Sequence, residues 1–213
     1  LAILATIVAL VGGTLWWYAS RIDQSAWVAD TGVMNTKQAL SADVASIAVL
    51  PFVNMSSDKE QEYFADGMSE EVLNLLAQLP QLHVIARTSS FSFKGKEADI
   101  ATIARTLNVA HVLEGSVRKS GGTVRITVQL IRASDSSHLW SQTYDRKLTD
   151  VFKVQDEIAR AVVAALQVKL LPAERERLAA TPTVNAEAYD AYLKGLYHWY
   201  RLTRADLDTA EHF

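Results

Sequence analysis

Several groups in this sequence have side chains able to do chemistry, and their spacing argues against most of it. Glu70-Glu71 and Asp156-Glu157 are adjacent carboxylates. Neighbours on a helix point about 100° apart, so neither pair converges on one substrate or metal. Both read as solvated helix faces, with Glu70 and Glu71 in a first turn where the helix dipole favours negative charge. The five histidines, His83, His111, His138, His198 and His212, show no i, i+4 pairing, and cysteine is absent. A metal site needs convergent ligands, so none is expected. Ser89, Ser90 and Ser92 cluster beside Arg87, but no G-x-S-x-G surrounds them, and acyl transfer is not expected. Gly121-Gly122 opens no helix and reads as a hairpin turn, not a phosphate cradle. The sequence therefore predicts no catalytic, cofactor-binding or metal-ligating residue, and no cofactor.

What remains is binding. In open α/β sheets, ligands occupy crevices beyond the carboxyl ends of parallel strands. Asn54, Ser56, Arg87, Ser89 and Ser90 fall at such ends and are the candidate ligand or partner contacts. The competing reading is polar loops that cap helix ends. Arg118, Lys119 and Arg125 gather near a hairpin tip, where they could touch phosphate or form a solvated face. Trp140 and Tyr144 are expected to cover the sheet rather than stack on a ligand.

The elements that must position these residues follow from periodicity. Ser46–Phe52 is a short apolar run closed by Pro51, a buried strand. Met68, Val72, Leu75, Leu76 and Leu79 form one helical stripe that Pro80 stops. Leu82–Ala86 is a second strand, and strand-helix-strand suggests a parallel crossover. Ile100, Ile103, Ala104 and Leu107 make a second amphipathic helix with Asp99 as cap. His111–Lys119 and Thr123–Ala133 flank Ser120-Gly121-Gly122 as an antiparallel hairpin with one wet face. Gly115 inside that strand signals a bulge or a close backbone approach. His138–Tyr144 is a further strand. Val151, Val154, Ile158, Val162 and Ala165 stripe a long helix that Pro172 is expected to end. The order β-α-β-α-β-β-β-α describes a mixed-sheet α/β domain over residues 46–171. Residues 172–184 read as a linker. Residues 185–213 read as a helical hairpin with Tyr189, Tyr192, Leu193, Leu196, Tyr197 and Tyr200 crowding one side, like one incomplete helical-repeat unit.

Composition bounds the rest. The chain has 213 residues, 49% hydrophobic and 21% charged, with a net charge of −3. That supports a real core and weighs against a nucleic-acid binder, which would carry a basic stripe. Leu1 to Tyr18 is uncharged and close to the roughly 20 apolar residues that span a bilayer. Trp16, Trp17 and Tyr18 beside Arg21 look like an interfacial belt. A transmembrane helix at 1–19 and a tether at 20–45 are expected, a cleaved signal peptide being the rival. The flank is poor in Lys and Arg, which predicts a single-pass protein with its C-terminal bulk outside the cytoplasm.

The blocks SIAVLPF, EYFADGMSEEV, VIARTSSFSFKGK, VLEGSVRKSGG, VRITVQLIRA and HLWSQTYDR resemble the TolB-amino-terminal-like domain of bacterial membrane-anchored proteins with tetratricopeptide repeats. The likeness runs from Ser46 to about Leu170. The tail resembles the first tetratricopeptide unit, with Gly195 and Ala210 matching its small packing residues. The resemblance implies a non-catalytic sensing or scaffolding region beyond a membrane, with an output domain upstream. It implies a protein partner through the helical repeats and, with the apolar run at 1–19 as the contact with the membrane, an inner-membrane protein with its C-terminal bulk in the periplasm; the net charge argues against direct nucleic-acid contact. A homo-oligomer stays open. The alternatives are the regulatory portion of a nucleotide cyclase or kinase, and a structural envelope protein.

Overall fold

The computed structural model describes residues 45–179 and 185–213. The expected membrane helix at 1–19 and the tether up to residue 44 lie outside the described residues, and Ala45 already belongs to the first strand. The architecture is a mixed α/β fold: one six-stranded sheet and seven α-helices among the described residues.

Strand β1 (Ala45–Val49) lies between β3 (Leu82–Val84) and β4 (His111–Ser120), parallel to both. After a break at Pro51, β2 (Val53–Asn54) resumes alongside β4. β5 (Thr123–Arg132) and β6 (Ser137–Lys147) continue antiparallel, giving the order β3-β1-β4-β5-β6. The expected Ser46–Phe52 strand is thus split. Its break places the Phe52 ring against Gly115, where an added Cβ would lie 3.0 Å from the ring and 2.7 Å from the Thr127 carbonyl oxygen. The close approach expected at Gly115 is what the structure has.

One face of the sheet carries the main core. Helix α1 (Glu62–Ala77) and α4 (Val151–Ala165) cover Ile47, Val49, Leu113, Val117, Ile126, Val128 and Leu130. On the other face, α2 (Arg87–Phe91) leads to α3 (Ile100–Leu107), whose Ile103 and Ala104 cover only Ala48, Leu50 and Val112. Asp99 caps α3 by accepting from the Thr102 N–H at 2.7 Å, as expected. The remainder of that face is the wet one. There Thr127 and Thr143 share a 3.0 Å hydrogen bond in partly or fully exposed positions.

Pro172 does not end α4, which stops at Ala165; it opens α5 (Pro172–Ala179). Proline suits that first position because its missing N–H would be unbonded there in any case. α5 sends Leu178 into the main core. Asn185 caps α6 (Ala186–Trp199) and Thr203 caps α7 (Arg204–Ala210). The tail hairpin is not apart from the α/β core, because Tyr189 and Leu193 of α6 are buried within it.

The expectation of a single-pass inner-membrane protein with a periplasmic bulk is corrected. No helix among the described residues is long and apolar enough to cross a membrane. The longest, α1, has 16 residues and carries Glu62, Asp66, Glu70 and Glu71, whereas a span needs roughly 20 apolar ones.

Candidate functional site

Helix α1 is buried on more than one side. Phe64, Met68, Val72 and Leu76 repeat every fourth position and seat the helix on the sheet, all at 1% exposure or less. Tyr63, Asp66, Gly67 and Glu70 are buried as well. Elements other than the sheet must therefore cover them, and the covering elements bring polar partners.

Lys94, from the loop after α2, bonds Asp66 at 2.5 and 2.6 Å and Glu62 at 2.7 Å. Arg87 at the start of α2 gives its Nε to Glu70 Oε2 at 2.8 Å, and its guanidinium lies between the rings of Phe91 and Tyr200, at 4.0 and 3.7 Å. From α6, Asp190 accepts the Tyr63 hydroxyl at 2.5 Å and the Lys119 ammonium at 3.0 Å, and pairs with Lys194 at 2.9 Å. The Tyr192 hydroxyl donates to Glu71 at 3.1 Å. Gln155 of α4 donates to the buried Tyr189 hydroxyl.

The titration behaviour follows this packing. Burial raises Asp66, with the Lys94 hydrogen bond working against it. Burial alone would lower Lys94, but its bonds to Asp66 and Glu62 hold it above the usual lysine value. Burial raises Glu71, and pushes Tyr192 up to about 12 with the charge of Glu71 adding to it. Burial would also raise Asp190, but hydrogen bonds from Tyr63, Lys194 and Lys119 bring it down to about 2. These groups are spent on one another across elements, so the arrangement fixes the position of α6 and α2 on α1.

A groove of about 890 Å³ opens beside this network, past the end of β1. Phe52, Asn54, Lys94, Lys96, Glu114 and Gln129 are among the residues that line it. Its size is that of a small-ligand cleft, and Lys94 belongs both to it and to the α1 network.

The five candidate contacts do not form one site. Asn54 lines the groove, and its side chain accepts from the Ser56 N–H at 2.9 Å and donates to the Asp58 carbonyl at 3.1 Å. Ser56 Oγ accepts from the Lys119 N–H at 2.9 Å, on the hairpin side. Arg87 holds Glu70, Ser89 is exposed on α2, and Ser90 is fully buried with no hydrogen-bond partner for its hydroxyl among the described residues. The solvated-face reading of the carboxylate pairs is corrected. Glu70 and Asp156 are 4% exposed, and Glu157 pairs with Arg146 at 3.1 Å. Because α1 starts at Glu62, Glu70 and Glu71 sit mid-helix and gain nothing from its N-terminal dipole. The signal was present: Glu62, Asp66 and Glu70 recur every fourth residue, a carboxylate stripe that one covering surface can meet. Metal-binding groups of three or more acidic or histidine side chains are absent among the described residues.

Residues 42–161 match the family described as HilA/YgeH-like transcriptional regulator, second domain, and the chain belongs to that family. A curated protein of Rhizobium meliloti (strain 1021), named "Putative adenylate cyclase 3", is 50% identical over 149 residues, 70% of this chain. The chain spans 25% of that relative's length. Among solved structures, TolB from Acinetobacter baumannii aligns with 58% of this chain and 28% of its own, at 15% identity and a TM-score of 0.44. Lipoprotein GNA1162 from Neisseria meningitidis aligns with 60% of this chain and 99% of its own, at 20% identity and a TM-score of 0.42. The LpoB C-terminal domain from Salmonella enterica aligns with 53% and 91%, at 16% identity and a TM-score of 0.40.

Proposed function

We propose that this member of the HilA/YgeH-like family is a regulatory and interaction module of a longer protein, whose output chemistry is carried by another domain. The observation that carries this is the double engagement of α1. The helix seats one stripe on the sheet and gives its polar side to α2, to Lys94 and to α6. Groups committed in this way hold elements in register, and such commitment to packing supports a structural use of these charges over turnover. The family description supports transcription control as the output, and the relative's name supports nucleotide cyclisation. Occupancy of the groove by a small ligand would touch Lys94, and through Asp66 would reach α1 and the tail packed on it.

The test uses a longer protein that joins this chain to its output domain. Tyr63→Phe with Asp190→Ala should loosen α6, seen as faster amide exchange there, and should change the output activity. Unchanged output alongside an undocked α6 would refute the regulatory reading. The 213-residue chain by itself should convert no ATP to cyclic AMP, and turnover abolished by one substitution within residues 45–171 would overturn the non-catalytic reading.

A further inference from the structure

The wet face of the sheet ends in a cluster of cations. Arg118 is directly paired with Arg125 across β4 and β5, Arg125 with Asp145 across β5 and β6, and Thr123 with Lys147. Directly paired residues share a face, with Cβ atoms about 5 Å apart. Val124 and Ile126 point into the main core, so Arg118, Arg125 and Lys147 rise from the opposite side. Lys119, grouped with them in the sequence, turns to the core side and reaches Asp190. Together with Arg146, Ser120 and Thr123, the three cations line a depression of about 460 Å³ in which Asp145 is the single carboxylate.

Two of the four cations are matched. Arg125 holds Asp145 at 2.6 and 3.0 Å, and Arg146 reaches Glu157 at 3.1 Å. Arg118 gives its Nε to the Met55 carbonyl at 3.2 Å. That bond fixes the side chain and leaves both terminal nitrogens of the fork without an acceptor among the described residues. Lys147 has no ion-pair partner among them either. Like charges placed directly opposite on a sheet repel, and the patch reverses the sign of a chain that carries −3. An anion between Arg118 and Arg125 would turn that repulsion into attraction.

We propose that this depression is a binding site for a phosphate group, free or carried by a small molecule. The planar Arg118 fork supplies paired N–H donors, which match two phosphate oxygens. Lys147 adds charge, Arg125 stays paired with Asp145, and Ser120 is among the lining residues. A phosphate monoester brings close to two negative charges and three strong acceptor oxygens, which suits the two unmatched cations, Arg118 and Lys147, better than a carboxylate with one charge. The depression is larger than a phosphate, so a nucleoside monophosphate fits the same chemistry.

The test is amide NMR on the 213-residue chain at fixed ionic strength, with inorganic phosphate, adenosine monophosphate and an oligoglutamate peptide as separate titrants. Phosphate should shift residues 118–125 and 145–147 and approach saturation by about 10 mM, since exposed ion pairs are weak. Arg118→Gln should weaken binding about tenfold, because a charge-assisted pair is lost. Arg118→Lys should weaken it less, and Lys169→Gln not at all. Tighter binding of adenosine monophosphate than of phosphate identifies a nucleotide ligand, and equal binding identifies free phosphate. Unsaturable shifts, equal affinity in Arg118→Gln, or a response to oligoglutamate alone would overturn the proposal. Should Arg118→Gln lose its dispersed spectrum, Lys147→Gln serves in its place, with a loss of about threefold expected on the same charge argument.

Discussion

Gly67 on α1 lies where Leu193 of α6 crosses it, and the pair can be tested as a unit. A Cβ at position 67 would sit 2.5 Å from Leu193 Cδ2 and 3.1 Å from Cδ1. Carbon atoms ordinarily approach to about 3.5 Å, so the overlap is about 1 Å. Leu193 is 0% exposed, which leaves its methyl groups little room to yield. Gly67→Ala therefore sets two effects against each other: about 1 kcal/mol gained in helix propensity and about 1–3 kcal/mol lost to overpacking. The net loss should fall between about 0 and 2 kcal/mol. Leu193→Ala removes a fully buried side chain at a cost of about 2–5 kcal/mol. It also clears the space that the new methyl needs. The double variant keeps the propensity gain, escapes the clash and partly fills the cavity. It should be more stable than the sum of the single changes by about 1–3 kcal/mol. Denaturant unfolding of the four proteins measures this, and amide exchange across α6 and α7 shows where the loss falls. Additivity within about 0.5 kcal/mol would refute the close seam between α1 and α6.

Gly115→Ala meets a backbone carbonyl, not a flexible side chain, because its Cβ would lie 2.7 Å from the Thr127 oxygen. A loss of about 2–3 kcal/mol is expected in thermal or denaturant unfolding, and a loss under about 0.5 kcal/mol would mean that β4 and β5 can part there. Stability against pH should bend twice. Asp66 and Glu71 titrate above their usual values, chiefly through burial, so their folded forms take up protons before the unfolded chain does, and stability should rise slightly as pH falls below neutral. Asp190 is held down at about 2 from 3.8, so its contribution, about 1 kcal/mol after solvent screening, is complete above about pH 4 and lost between there and about pH 2. Unfolding midpoints at several pH values check this; Asp190→Asn should flatten the acid limb, and an unchanged limb would show that other groups cause it.

The sequence made the fold legible where a residue type has one local meaning. Alternation in Val124–Leu130 fixed both the strand and its wet face, Asp99 marked a helix start, and Gly115 marked a close approach. It was less legible where one residue type serves two ends. Pro172 stops a helix or starts one, and here it starts α5. Pro51 reads as the close of a strand, yet pairing resumes at Val53 once Phe52 has turned into the core. The tail could not be placed from periodicity. Tyr189 and Leu193 present the same stripe whether they meet a following repeat or α1, and the choice depends on Gly67, some 120 residues away in sequence. Of the five candidate contacts, Asn54 alone lines the groove. The charged groups that tie the elements together were hidden because their partners are remote: Asp66 with Lys94, Tyr63 with Asp190.

The polar ties of α1 fall into two tiers, and the difference bears on regulation. Asp66 and Glu70 are nearly inaccessible and are matched by Lys94 and Arg87, which belong to the α/β core. Removing one partner of such a pair strands a buried charge at a cost of about 3–5 kcal/mol, so these ties keep the core intact whatever the tail does. The ties to α6 are of another kind. Tyr192 is 50% exposed and Tyr200 38%, and Glu71 and Asp190 have water to fall back on when α6 leaves. Release of the tail would then expose Tyr189 and Leu193 as the main apolar loss, and Lys119 of β4 would exchange Asp190 for water. Local opening takes place first where few buried groups are lost. The hairpin of α6 and α7 is therefore expected to open before the sheet, α1 and α2 do, as the regulatory role proposed above requires, and amide exchange faster in α6 than in α1 would be its sign.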